Sequence, residues 1–258
     1  MKWNATLAEL IAVFAVGLLS FGSPRAVAAQ SMTRCAACHF ANMSEVPSPD
    51  RLAGWQRSAH ARHVIGCHEC HGGDPWSYVP GDAHRGVLGA AHPSSPINAA
   101  NLVRTCARCH QANAAAFAAS RHQTLARVDE REGATCATCH GAMRATVPSP
   151  AGVEARCAGC HPAESARGEY PSLMRAGIEA LNALRLRADE LDDAVAQVPE
   201  HGRRVELLVA LHNARTTLTD AIASVHTFDT QKVDERLARA RRALDAVAKA
   251  SATAGVDR

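Results

Sequence analysis

Aromatic residues are scarce in this chain of 258 residues, which has three Trp, two Tyr and five Phe. The hydrophobic fraction of 47% is inflated by alanine. Between residues 30 and 170 large aliphatic residues are few as well, and no long periodic run of apolar residues occurs there. Such a segment cannot bury enough apolar surface to fold unaided, which excludes a conventional side-chain core in this half.

Lysine is nearly absent, because only Lys232 and Lys249 occur beyond residue 30. The formal net charge is +3, and no basic patch is interleaved with aromatic residues. The sequence therefore gives no indication that the protein binds nucleic acid.

Cysteine occurs in a single arrangement, Cys-x-x-Cys-His, and five copies of this motif use all ten cysteines. The copies are Cys35, Cys38 and His39; Cys67, Cys70 and His71; Cys106, Cys109 and His110; Cys136, Cys139 and His140; and Cys157, Cys160 and His161. This is the attachment pattern of c-type haem, in which two thiols bond to the porphyrin and the histidine takes one axial position on the iron. A structural zinc site needs no histidine after each cysteine pair, and disulfides would not explain the constant spacing.

We therefore predict five covalently bound haem c groups, whose porphyrins supply the interior that side chains lack. Without them, we expect the segment from residue 30 to about residue 170 to be largely disordered, because its folding is coupled to the metal centres.

The haem segment contains an internal duplication over residues 35–72 and 106–141. Each copy reads Cys-x-x-Cys-His, then aromatic-x-x-Ser-x-His, then Cys-x-x-Cys-His-Gly. The middle element runs from Trp55 to His60 in the first copy and from Phe117 to His122 in the second. It predicts a histidine on a short helical turn between two haems, where its imidazole can supply a second axial ligand.

These elements resemble the multihaem cytochrome c superfamily that includes cytochrome c554, octahaem relatives of hydroxylamine oxidoreductase and cytochrome c3-like proteins. The resemblance covers about residues 31–165 and includes Gly72-Gly73-Asp74-Pro75 and Ala83-His84-Arg85-Gly86. It implies electron transfer through closely stacked haems in the periplasm.

Nine histidines lie outside the motifs and provide candidates for the second axial ligands. The predicted ligands are His60, His84, His122, His226 and His212. His60 and His122 are selected by the duplication, and His84 lies in a loop of small residues. Related multihaem cytochromes place a distal histidine in a turn like that of His226, and His212 borders an apolar helix face. His63, three residues after His60, and His92, before Pro93, remain alternatives.

Three amphipathic helices are predicted after Tyr170. The first ends at Pro199, the second covers about residues 202–224, and the third follows the N-cap Asp229. The second helix is expected to bury one side that comprises Val205, Leu208, Leu211, Leu218, Ile222 and Val225. The third is expected to bury Val233, Leu237, Ala240, Leu244 and Val247.

The expected fold is mainly α with large irregular regions. Residues 30–170 form a haem-packed cytochrome c domain, and residues 171–252 form an antiparallel helical bundle or hairpin that packs on it.

Two classes of function are consistent with the motifs. If two histidines bind every iron, no position is open to a substrate, and the protein relays electrons between redox proteins of an anaerobic, metal-linked or nitrogen-linked respiratory chain. If one iron lacks a second ligand, the protein is an oxidoreductase for a small nitrogen or sulfur compound. Pentahaem nitrite reductases, a relevant resemblance, replace one motif histidine by lysine, which no motif does here. Hydroxylamine-oxidising relatives need a haem-linked tyrosine, for which Tyr78 and Tyr170 lack a supporting pattern. We favour the electron carrier and assign no catalytic residue.

The N-terminus resembles a signal peptide over residues 1–29, with Lys2, an apolar segment over Leu10–Phe21 and small residues before Gln30. An export signal agrees with the attachment of c-type haem outside the bacterial cytoplasm. If the segment is retained, the protein is instead anchored in the membrane facing the periplasm, as in a quinol-oxidising cytochrome.

We predict that the mature protein begins near Ala29 or Gln30, because cleavage after Ala28 or Ala29 fits the small-residue pattern. Intact-mass measurement of the protein purified from its host checks this prediction. A mass that includes residues 1–28 would contradict it and favour the membrane-anchored alternative.

Overall fold

A computed structural model describes residues 33–42, 49–128 and 133–254. The predicted signal segment lies outside the described residues. The described part is mainly helical and contains no strand, which confirms the predicted fold class.

The first part of the chain forms short helices of four to nine residues joined by loops. The described helices are α1 (Arg34–Ala41), α2 (Pro49–Gln56), α3 (Ala59–Arg62), α4 (His68–His71), α5 (Pro80–Ala83), a 3-10 turn (Ala99–Asn101), α6 (Leu102–Ala107), α7 (Gln111–Ala118), α8 (Arg121–Val128), α9 (Cys136–His140) and α10 (Pro150–Ala158). Isolated helices of this length are marginal in water, so contacts outside each helix must stabilise them.

Buried apolar side chains are few in this part of the structure. Of the described residues before Tyr170, the buried hydrophobic ones are Ala36, Leu52, Ala61, Ala114, Phe117 and Ala126. Only Leu52 and Phe117 are larger than alanine. This agrees with the prediction from composition that these residues do not form a side-chain core of ordinary size.

The last part of the chain consists of three long helices: α11 (Tyr170–Ala196), α12 (His201–Ser224) and α13 (Thr230–Ala254). The short connections after α11 and α12 make neighbouring helices antiparallel. Their facing sides enclose one hydrophobic cluster, to which α11 contributes Leu181, Leu184, Ala188, Leu191 and Val195, and α13 contributes Val233, Leu237, Ala240, Leu244 and Val247. The buried side of α13 is the predicted one.

Side chains before each of the last two helices cap its first turn. The Glu200 carboxylate accepts hydrogen bonds from the backbone N–H groups of Gly202 and Arg203 at the start of α12. At the start of α13, Asp229 Oδ1 accepts from the Lys232 N–H at 3.1 Å, which confirms the predicted N-cap.

The predicted buried side of α12 is partly wrong. The helix buries Leu207, Leu211, Ala214, Leu218, Ala221 and Ser224. Val205 and Leu208 are instead exposed, by 45% and 47%. The prediction followed the larger aliphatic residues, whereas the close approach of the helices selects alanine and serine at three of the six positions.

An ion-pair cluster joins α10 to the long helices. Arg175 on α11 bonds to Glu154 on α10 at 2.9 Å and to Glu179 at 2.8 Å. These contacts orient the chain between the last Cys-x-x-Cys-His motif and the bundle. Over residues 33–42, 49–128 and 133–254, no helix combines the length and apolar character needed to cross a bilayer.

Two adjacent leucines of α12 test which side of this helix is buried. Leu207 is 2% exposed and Leu208 is 47% exposed. Leu207→Ala should cost about 2–5 kcal/mol of unfolding free energy, because it leaves a cavity in a packed core. Leu208→Ala should cost less than about 0.5 kcal/mol. Thermal unfolding followed by circular dichroism of the two variants checks this, and equal losses would contradict the observed packing.

Candidate haem sites

Each Cys-x-x-Cys-His motif forms one helical turn. The histidine N–H donates to the carbonyl of the first cysteine in the second, third and fifth motifs, from His71 at 2.9 Å, His110 at 2.9 Å and His161 at 2.8 Å. The first and fourth motifs lie within α1 and α9. Positions one, four and five of such a turn share a side, so both thiols and the imidazole face the same way. This is the arrangement that attachment of one porphyrin requires.

The thiols are available for thioether bonds. All ten cysteines are free. In the described part of the chain, no group of three or more His, Cys, Asp or Glu side chains is arranged to hold a metal ion by itself.

Four motif histidines each face one histidine from outside the motifs. The ring centroids are 5.8 Å apart for His39 and His84, and 6.1 Å apart for His110 and His60, His161 and His122, and His140 and His226. An imidazole nitrogen lies about 2 Å from a metal that it binds, so two rings on opposite sides of one metal have centroids about 6 Å apart. The spacing in all four pairs therefore fits two axial ligands of one iron.

Hydrogen bonds orient three of these rings. The Nδ1 atom of His84 lies 2.8 Å from the Pro80 carbonyl oxygen, and the Nδ1 atom of His140 lies 2.9 Å from the Thr146 carbonyl oxygen. The Nδ1 atom of His226 lies 3.3 Å from the Ile222 carbonyl oxygen. A carbonyl can only accept, so Nδ1 carries the proton and Nε2 is left free to bind a metal.

Burial also favours the neutral, metal-binding form of several rings. It is the largest cause that lowers the pKa of His60, His122 and His226. The charge of the facing motif histidine is the second cause in each. Because only a neutral imidazole has a lone pair for iron, these three side chains are suited to ligation.

The duplicated aromatic-x-x-Ser-x-His element has the same local structure in both copies. Ser58 N–H donates to the Trp55 carbonyl at 2.8 Å, and Ser120 N–H donates to the Phe117 carbonyl at 2.9 Å. Each serine hydroxyl then accepts from the backbone N–H three residues on, at 3.1 Å and 3.3 Å. The buried serine thus caps the helix that presents the histidine two residues later, which gives the motif its physical basis.

The two copies also make equivalent long-range pairs. His60 lies between the first two motifs in sequence, but it faces His110 of the third. His122 lies between the third and fourth motifs, but it faces His161 of the fifth. Each of these two histidines therefore faces the histidine of the first motif after the copy of the duplication to which it belongs.

A close loop contact places His84 opposite His39. Gly73 has φ of +85°, and a Cβ atom at this position would lie 2.3 Å from the Ala83 carbonyl oxygen. The neighbouring Asp74 N–H donates to the same carbonyl at 3.0 Å. Only glycine permits this approach, which fixes the end of α5 where His84 begins the next turn.

The second motif histidine, His71, differs from the other four. All fourteen histidines of the chain lie within the described residues, and within them no imidazole ring faces His71. His63, His92, His201 and His212 are exposed, and His68 pairs with Glu69 at 3.0 Å. The predicted ligand His212 lies on the exposed side of α12, away from the apolar side it was expected to border.

Consecutive motifs are neighbours in space. Burial, followed by the nearby Cys35, raises the pKa of Cys67 to about 11. The pKa of Cys70 is likewise raised by burial and then by Cys106. The pKa of Cys106 is raised first by the neighbouring Cys136 and then by burial. Burial and then Cys157 raise the pKa of Cys139. Each motif thus has a cysteine whose pKa responds to a cysteine of the next motif in the chain, or the reverse, so consecutive motifs lie close together.

Three buried polar atoms provide a further test of fit. Thr33 Oγ1, Arg34 Nε and His68 Nδ1 have no hydrogen-bond partner in the described part of the chain. They lie beside the first cysteine of the first motif and within the second motif. Haem carries two carboxylates, which can accept such bonds, so these atoms suit a haem at the first two motifs.

Two comparisons with known proteins agree with the interpretation of the Cys-x-x-Cys-His motifs as haem sites. The family "Cytochrome c7 and related cytochrome c" matches residues 91–162. The C-type polyheme cytochrome OmcC of Geobacter sulfurreducens is 28% identical over 167 residues, which are 58% of this chain and 21% of OmcC. The chain thus spans about a fifth of the length of this relative. No solved structure matches the chain significantly.

Over residues 91–162 the chain is thus similar to cytochrome c7 and related cytochromes c, and both matches support a multihaem c-type cytochrome. Cytochromes of this family carry covalently bound haem c. Multihaem c-type cytochromes are typically found outside the cytoplasm.

The histidine pairs predict the effects of ligand substitutions. His60→Met and His122→Met should each raise the reduction potential of one haem and create one His–Met charge-transfer band in the near-infrared, because thioether sulfur favours ferrous iron. Redox titration and near-infrared spectra of the purified variants check this. His212→Met, on an exposed helix side, is the matched control and should leave both unchanged. Wild-type spectra in both His60→Met and His122→Met would contradict the pairing.

Proposed function

We propose that this protein is a periplasmic electron carrier with five haem c groups, four of them held between two histidines. The observation that carries the proposal is the set of four histidine pairs, each of which combines one motif histidine with one histidine distant in sequence. The ring centroids of each pair are separated by about the distance expected for two ligands on opposite sides of one metal. Haem c supplies an iron that exchanges single electrons, and an iron with two histidine ligands has no position for a substrate.

The order of the sites supports a relay. The pKa shifts of the thiols reflect an interaction between every two consecutive motifs, from the first to the fifth. His60, at the third site, also lies close enough to His140 of the fourth site for their charges to interact. Adjacent attachment points allow electrons to enter at one end of the series and leave at the other.

The cellular setting is inferred from the chemistry of attachment. Haem c is attached outside the bacterial cytoplasm, and the apolar segment over residues 10–21 has the pattern of an export signal. Ligation by two histidines generally gives low potentials, which suit anaerobic, metal-linked or nitrogen-linked respiration. The expected partners are therefore redox proteins that donate and accept electrons.

Coulometric titration of the purified holoprotein tests the proposal. Full reduction should take five electrons per chain, one for each motif. The double variant Cys157→Ala and Cys160→Ala should take four, because it lacks one attachment site. The reduced protein should consume neither nitrite, hydroxylamine nor sulfite. Fewer than five electrons in the wild type, or turnover of one of these compounds, would contradict the proposal.

One observation favours a second function at the second site. Within the described residues, no imidazole ring faces His71, so an iron held there has a position for a small nitrogen or sulfur compound. The protein would then be an oxidoreductase at this site, and the other four haems would supply or remove its electrons.

Electron paramagnetic resonance of the oxidised protein tests whether the second site is open, and turnover of nitrite, hydroxylamine or sulfite then distinguishes the oxidoreductase from the carrier. An open second site should give one equivalent of high-spin ferric haem that cyanide converts to low spin. His84→Ala, which removes the ring facing His39, provides a calibration and should add a second high-spin equivalent. Only low-spin signals in the wild type would exclude the oxidoreductase.

A further inference from the structure

Phe228 has an unusual backbone conformation at the junction between the long helices. It follows the 3-10 turn Val225–Thr227 and has φ of +56°, in the left-handed region. Among the described residues, Val64 is the only other residue besides glycine with positive φ. Bulky side chains are rarely found there, and such a conformation persists only where surrounding contacts enforce it.

The contacts of Phe228 lie in the haem-binding part of the chain. Its ring meets the His122 ring edge to face, with centroids 4.4 Å apart and planes at 89°. It also meets Phe117 edge to face at 6.0 Å. Phe117 is buried and opens the element that presents His122, so Phe228 contacts both ends of this element.

The same turn also contributes a histidine to the fourth site. His226, two residues before Phe228, faces His140 at 6.1 Å with nearly parallel rings. His122 faces His161 of the fifth site at 6.1 Å. One turn of the helical bundle thus provides one ring of the pair at the fourth site and packs against one ring of the pair at the fifth site.

The helix cap at Ser120 and the contact with Phe228 act differently on the His122 ring. The Ser120 hydroxyl fixes the start of α8 by accepting from the Gln123 N–H at 3.3 Å, but this bond does not restrict rotation of the imidazole. The edge-to-face contact with Phe228 does restrict it, since rotation would bring the two rings into collision.

We propose that Phe228 is a positioning residue for the fifth haem, where it holds the His122 imidazole in the orientation that binds iron. The inference rests on the proposed function, because it takes His122 and His161 as the two ligands of one iron. It makes the C-terminal bundle part of the ligand-holding structure of two haems.

The left-handed backbone allows the ring to be removed selectively. Phe228→Gly deletes the side chain, and glycine adopts the same φ without strain, so the turn and His226 should stay in place. The low-spin signal of the fifth haem, identified as the one that His122→Met removes, should shift or broaden. Imidazole added to the oxidised protein should displace His122 at a concentration roughly tenfold lower than in the wild type, as for other residues that support a metal ligand. Phe228→Tyr, which retains the ring, should restore wild-type behaviour.

Two controls separate positioning from general destabilisation. Val64→Gly relieves strain at the other left-handed residue and should leave the fifth-haem signal unchanged. In the His122→Met background, Phe228→Gly should cause no further change at that haem, since the histidine through which it acts is absent. If Phe228→Gly yields no folded protein, the low-spin signal of the fifth haem and its displacement by imidazole are measured in Phe228→Leu instead. This variant keeps apolar contact with Phe117.

The outcomes separate this inference from the proposed function. A wild-type protein without low-spin signals from histidine pairs refutes the proposed function and with it the inference. Wild-type signals that Phe228→Gly leaves unchanged at the fifth haem refute the inference alone. Equal loss of the fourth and fifth signals also refutes it, because the turn and not the ring would then be responsible.

Discussion

Under the proposed ligation, the haem-binding half depends on pairs of imidazole rings whose separation leaves room for one metal ion between them. Four such separations occur, and each connects residues that are far apart in sequence. The helices that carry these rings are short, and of their buried hydrophobic residues only Leu52 and Phe117 are larger than alanine. Under the proposed ligation, metal–ligand bonds and porphyrin surface would replace the apolar packing that stabilises an ordinary domain, in the same way that a bound metal drives the folding of small metalloproteins.

The C-terminal bundle is stabilised differently and complements the first half. It has a hydrophobic core of its own, which includes Leu184, Leu211 and Leu244. Under the proposed ligation, the turn between α12 and α13 extends from this bundle into the fourth and fifth sites through His226 and Phe228. A bundle with a hydrophobic core of its own can thus provide a fixed base for ligands in a region that has little core.

The sequence allowed several features to be predicted because their signals are local. Five residues define each haem motif, three- and four-residue steps define the buried side of α13, and an aromatic-x-x-Ser-x-His pattern encodes a capped turn. The pairing of His60 with His110 was not predictable, because it depends on how two copies of the duplicated unit stack. Leu207 and Leu208 illustrate a second limit. They are chemically identical neighbours, and the small residues Ala214 and Ala221, which allow close helix contact, decide which one is buried.

The number of irons bound by two histidines is the most direct test of whether the four histidine pairs bind haem. Near-infrared magnetic circular dichroism of the fully oxidised holoprotein measures this number from the charge-transfer band of histidine-ligated low-spin haem. Four equivalents per chain are expected, one for each observed pair. Two or fewer equivalents, or a dominant band from histidine–methionine ligation, would contradict the proposed ligation.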